Sequence, residues 1–88
     1  MCRNIRTLFN FEPPATDAEV RASALQFVRK LSGFNAPSQA NAAAFERAVA
    51  EVSDAARRLI ASLQTAAPPR DRAIEADKAR MRTRRRFA

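Results

Sequence analysis

Five prolines stand at three places, Pro13-Pro14, Pro37 and Pro68-Pro69, and cut a chain of 88 residues into four pieces. Proline locks its own φ, has no amide to donate, and pushes the residue before it towards extended backbone. Neither doublet can lie inside a helix, and each cut coincides with a change of pattern. The chain is therefore divided into separate elements, and its length has room for one small domain.

The piece before the first doublet holds Ile5, Leu8, Phe9 and Phe11, and Phe9-Asn10-Phe11 alternates. It reads as an extended strap over 1–15, with its apolar side chains laid across the helices that follow. The second piece opens with Thr16-Asp17-Ala18-Glu19, a capping box in which the Thr16 hydroxyl takes the amide three residues on and Glu19 reaches back. The spacing predicts a helix over 17–32, ended by Gly33 in the left-handed conformation. Val20, Ala24, Phe27, Val28 and Leu31 share its inward stripe, which Leu25 widens.

The third piece predicts a helix over 38–66, with Ser38 as its cap. Phe45, Ala48, Val49, Val52, Ala56, Leu59, Ile60 and Leu63 recur at spacings of three and four and make one apolar face. Arg47, Glu51, Asp54 and Arg58 lie opposite, with Asp54 and Arg58 placed as an i,i+4 ion pair. The fourth piece is built from Ala, Glu, Lys and Arg, all good helix formers. It predicts a basic helix over 71–85 with a frayed end, docked weakly near Ile74, with Met81 next along the same side. The fold class is all-α: an antiparallel helical hairpin or small three-helix bundle with an N-terminal extended strap.

The composition narrows the chemistry. Of the 47% hydrophobic residues, nearly half are Ala, so the core is thin. One glycine is too few for a phosphate-cradling loop. No His is present, which removes the usual general base and the commonest metal ligand. One Cys forms no internal disulfide and no thiolate-rich metal site. No run approaches the roughly 20 apolar residues of a membrane span. The acidic residues are spread singly, so no catalytic carboxylate pair is legible. These features point to a non-enzymatic protein with no metal, no cofactor and no small-molecule substrate. A free Cys and the lack of an export signal point to the cytoplasm.

Charge is concentrated at one end. Residues 1–69 carry eight Lys/Arg and six Asp/Glu, and residues 70–88 carry eight and three, so most of the net +7 lies in the tail. Lys78, Arg80, Arg82, Arg84, Arg85 and Arg86 are candidates for contact with nucleic-acid phosphates or with an acidic partner. A solvated tail explains the same run. No aromatic is interleaved for base stacking, which argues against selective reading of single strands.

At the other end, Cys2 lies beside Arg3, Asn4 and Arg6. Nearby cations lower a thiol pKa, so Cys2 is a candidate reactive or redox-sensitive thiol, and the group a candidate anion site. The alternative is a small buried side chain that anchors the strap.

The opening Met1-Cys-Arg-Asn-Ile-Arg-Thr-Leu-Phe-Asn-Phe-Glu-Pro-Pro-Ala-Thr16 resembles that of a family of small bacterial proteins of unknown function. The likeness continues through Leu25-Gln-Phe-Val-Arg-Lys-Leu-Ser-Gly-Phe34, Pro37-Ser38 and Ala44-Phe45-Glu-Arg-Ala-Val49 to Pro68-Pro69-Arg70. The resemblance implies a cytoplasmic bacterial protein and assigns no activity or cofactor; it is looser after Ala79. The sequence thus favours a helical interaction module whose partner is another protein or a second copy. A nucleic-acid-associated accessory protein and a thiol-reactive protein using Cys2 are the alternatives.

Overall fold

The computed structural model describes residues 5–87, with side chains through 84. Three helices carry most of the chain: α1 (Asp17–Ser32), α2 (Ala42–Ser62) and α3 (Arg72–Phe87). A 3-10 turn at Gln39–Asn41 precedes α2, and two short strands, β1 (Phe11–Glu12) and β2 (Arg70–Asp71), precede α1 and α3.

The ends of α1 are locally encoded. The Glu19 amide donates to the Thr16 hydroxyl at 3.2 Å, and the Glu19 carboxylate accepts from the Thr16 amide at 3.0 Å. At the other end Gly33 takes φ 78° and its amide closes on the Arg29 carbonyl.

The bounds of α2 differ from the span of 38–66 that the pattern predicts. The Ser38 hydroxyl accepts from the Asn41 side chain at 3.0 Å instead of from a helix amide. A 3-10 turn therefore forms first, and the α-helix starts at Ala42. At the far end the Ser62 hydroxyl donates to the Arg58 and Leu59 carbonyls and competes for the last turn. Leu63 then turns extended, and the segment to Pro68-Pro69 leaves the helix axis. Asp54 pairs with Arg57, one residue short of the expected Arg58.

The all-α expectation holds in broad terms, and a two-stranded sheet of two residues per strand is added to it. β1 and β2 pair in parallel, Phe11 with Arg70 and Glu12 with Asp71. Each is flanked by a proline doublet that holds the chain extended, and two extended segments brought together satisfy one another's backbone groups. Asn10 fixes the register: it sits at φ 66°, its carbonyl accepts from the Arg70 amide at 2.8 Å, and its side chain donates to the Pro68 carbonyl at 3.2 Å.

The core lies between α1 and α2. Val20, Ala24 and Val28 of α1 are buried, as are Phe45, Val49 and Ser53 of α2, and Leu25, Ala48 and Val52 pack around them. Arg21 and Glu46 join the helices at the surface, 2.9 Å apart. The inward stripes are not covered along their whole length. Leu31 is 72% exposed, Leu59 57%, and Phe27 and Leu63 are also exposed. The cover each helix gives its neighbour stops before the last turn.

α3 does not complete a three-helix bundle, and Ile74 is not its docking point, being exposed. The helix is capped by Asp71, whose carboxylate accepts from the Ile74 amide at 3.0 Å, and it is held by the β1–β2 pair and by Arg72. The resulting molecule is flat and open: its Cα radius of gyration is 15.7 Å, against about 12 Å for a compact domain of this length. Among the described residues no helix is long and apolar enough to cross a membrane.

Candidate functional site

The strap, the start of α1 and the inner face of α3 enclose an open cleft of roughly 480 Å³. Its walls include Arg6 and Phe11 from the strap, Glu19 from α1, and Arg72, Ala79 and Arg82 from α3. The proline doublets and the strand pair create it, because they bring the strap and the start of α3 to the same edge of the α1–α2 hairpin. Alanines at 76 and 79 keep that face of α3 low, which leaves space between the elements.

The cleft is organised by one carboxylate. Arg72 Nη2 donates to both Glu19 oxygens, at 2.7 and 2.8 Å, while Glu19 also serves the α1 cap. The Arg72 hydrogen bond, and then the Thr16 amide, hold the Glu19 carboxyl below its ordinary 4.5, against a smaller opposing effect of desolvation. Arg72 Nε is buried and without a hydrogen-bond partner among the described residues. Arg70 lies over the Phe11 ring at 5.6 Å and closes the edge beside the strands.

The basic candidates separate into groups. Lys78 pairs with Glu75 at 3.5 Å, and Arg80 pairs with Asp77, so both cations are offset by acids of their own helix. Arg82 lines the cleft opposite Arg6, and it and the exposed Arg84 form no ion pair among the described residues. Arg85 and Arg86 lie within α3, but their side chains fall outside the described residues, as do Cys2, Arg3 and Asn4 altogether. Among the described residues no group of three acidic or thiol side chains is placed to hold a metal ion.

The outer face of α3 is a second feature. A shallow groove there is lined by Ile74, Asp77, Lys78, Met81 and Arg82, all from one helix. Ile74 is 55% exposed and Met81 48%, so the apolar side of α3 faces away from the body.

Sequence reasoning misses two residues that build the site. Asn10 disappears into an alternating strand pattern, although Asn is among the residues that most readily take a left-handed backbone. Glu19 is explained fully by the capping box, and nothing local announces its second partner, Arg72.

Together these features define a small helical protein whose third helix is tethered by a strand pair and one ion pair. The chain belongs to a family of uncharacterized conserved proteins, DUF2277, whose match spans residues 1–78. No curated protein and no solved structure matches it. The family match includes the hairpin, the strand pair and the first turns of α3, and it stops before Arg80.

Proposed function

We propose that the protein is a non-enzymatic binding module whose third helix seats in an acidic, partly apolar groove of a protein partner. The observation that carries this reading is the outer face of α3, where Ile74, Lys78 and Met81 follow at i, i+4 and i+7 in the open. That is the spacing of a helix that lies in a groove. A 16-residue helix standing off its own domain is near the length at which isolated helices are marginal in water. A partner that covers Ile74 and Met81 and faces Lys78 and Arg82 with carboxylates stabilises it. The setting proposed for this binding is the cytoplasm of a bacterium.

The second reading is contact with nucleic-acid phosphates. It is favoured by Arg82 and Arg84, which are not offset by acids among the described residues. Such binding is driven by counterion release and weakens steeply with salt.

A photo-crosslinking side chain in place of Lys78, in cells making the full chain, separates the two. The expected result is adducts on an acidic segment of another protein that disappear when Ile74 and Met81 are replaced by Ala. Adducts on nucleic acid that survive those changes and vanish with Arg82→Ala and Arg84→Ala establish the second reading. No adducts above those from the same group at Glu51, on the exposed side of α2, reject both.

A further inference from the structure

We propose that the cleft between the strap, α1 and α3 binds a small amphipathic organic anion, a carboxylate or phosphate head on a short apolar body. The site is separate from the outer apolar face of α3 and does not depend on what covers that face. The first support is convergence. Arg6 of the strap and Arg82 of α3 are far apart in sequence and line one cavity of roughly 480 Å³. That volume lies in the range of small-molecule sites, about 300–1,000 Å³. A second cavity of roughly 260 Å³ shares Arg6, Leu8 and Glu19 with it and extends it towards Ala22 and Ser23 of α1.

The second support is charge that the chain leaves unanswered. The lining holds three guanidinium groups, Arg6, Arg72 and Arg82, against two carboxylates, Glu19 and Glu75. Both carboxylates are already engaged, Glu19 by Arg72 and Glu75 by Lys78. Arg6 and Arg82 form no ion pair among the described residues. Glu19 takes only Nη2 of Arg72, and the buried Arg72 Nε has no acceptor among the described residues. The cleft thus holds more donors than the surrounding chain has acceptors for, and a buried donor without an acceptor is costly. An oxyanion supplies acceptors to Arg6 and Arg82, because the guanidinium fork matches the paired oxygens of carboxylate and phosphate.

The third support is the rest of the lining. Leu8 and Phe11 of the strap are half-buried, and Ala76 and Ala79 line the same cavity from α3. A bare oxyanion leaves these walls wet, whereas a short apolar chain or ring covers them. Apolar walls with a few charged groups that fix orientation are the usual make-up of a small-molecule site. Arg6 also belongs to the group Cys2, Arg3, Asn4 and Arg6 that the sequence marks as a candidate anion site, and it is the member within the described residues. A nucleic-acid strand is held by cations spread along its backbone, whereas Arg6 and Arg82 converge on one cleft from two elements.

The test is calorimetric titration of the full chain with octanoate, octyl phosphate, inorganic phosphate and octanol, followed by heteronuclear NMR of the same mixtures. The expected result is one saturable site for octanoate or octyl phosphate with a Kd below about 1 mM. The NMR shifts should be confined to Leu8, Ala76, Ala79 and the arginine Nε–H groups of the cleft. Binding of octanoate alone assigns a carboxylate head, and binding of octyl phosphate alone a phosphate head. Arg82 also borders the outer groove, so Arg6 and Ala79 are the diagnostic positions. Arg6→Gln should weaken binding about 10-fold. Ala79→Leu fills the cleft while keeping its charges and a good helix former, and should weaken binding at least as much. Arg58→Gln, at an exposed position of α2, should change nothing. The proposal is overturned by the absence of saturable binding, or by an affinity that Arg6→Gln and Ala79→Leu leave intact. It is equally overturned if inorganic phosphate or octanol binds as tightly as the octyl anions, if Arg58→Gln costs as much as Arg6→Gln, or if the shifts centre on Ile74 and Met81.

Discussion

Arg72, the first residue of α3, and Glu19, in the first turn of α1, are joined by two hydrogen bonds across 53 positions of sequence. The same carboxylate completes the α1 cap through the Thr16 amide. One side chain thus sets the start of one helix and the attachment of another. The β1–β2 pair restrains α3 at the same end, so the ion pair fixes its direction and leaves the far turns to extend from the body.

Glu19 makes the attachment sensitive to acid. Its carboxyl titrates below 4.5 in the folded chain, chiefly because of Arg72. A depressed carboxyl pKa contributes stability that is present above the unfolded value and is lost as pH falls through the folded one. The thermal midpoint should therefore drop below about pH 4.5, and Glu19→Gln should lie below wild type at neutral pH while losing less in acid. Melts followed by circular dichroism across that range check this. An unchanged acid slope in Glu19→Gln would assign the loss to other carboxylates.

Asn10 should prove costly to replace by Ala and less so by Gly. Ala loses the side-chain bond to the Pro68 carbonyl and is strained at φ 66°. Gly loses only the bond and some chain entropy. The strain alone is about 1–2 kcal/mol, which corresponds to roughly 4–8 °C of melting temperature per kcal/mol in a domain of this size. Thermal melts should rank wild type above Asn10→Gly, and that above Asn10→Ala. The reverse order for the two variants would remove the backbone argument.

Gly33 tests the same physics without a side-chain bond. A Cβ there meets nothing within 4 Å, so space is not the constraint, and φ 78° is. Gly33→Ala should cost about 1–2 kcal/mol, and Gly33→Asn less, because Asn tolerates this region. Equal melting temperatures for Ala and Gly would show that the α1 terminus rearranges freely.

These sites mark what a sequence of this kind makes legible. The Thr16–Glu19 box and the Gly33 stop involve neighbours in the chain, and both are readable from spacing. The Phe11–Arg70 register and the Glu19–Arg72 pair join residues more than fifty positions apart, and no period announces them. The prolines signal extended corners, but not that two corners meet. Periodicity places Leu31, Leu59 and Leu63 on the apolar faces of their helices. It cannot tell that α1 and α2 cover one another only partly, since a stripe identifies a face and not its cover. Arg6 and Arg82 are each singled out by charge, whereas their meeting across one cleft is a product of the strand pair.

Two buried neighbours on α2 should respond in different ways to the same truncation. Val49 is completely buried at the centre of the core, and Ser53, one turn on, is nearly so. Val49→Ala removes two methyl-sized groups from a core with few other large side chains and should cost about 2 kcal/mol. The Ser53 hydroxyl donates to the Val49 carbonyl at 2.7 Å, but that carbonyl retains the ordinary helical amide as a partner. Ser53→Ala removes the hydroxyl and its bond together, leaves nothing unsatisfied, and gains helix propensity. It should fall within about 0.5 kcal/mol of wild type or raise stability. Denaturant unfolding of both variants at one protein concentration decides the matter. A loss for Ser53→Ala as large as that for Val49→Ala would mean that the hydroxyl serves a partner beyond its own helix.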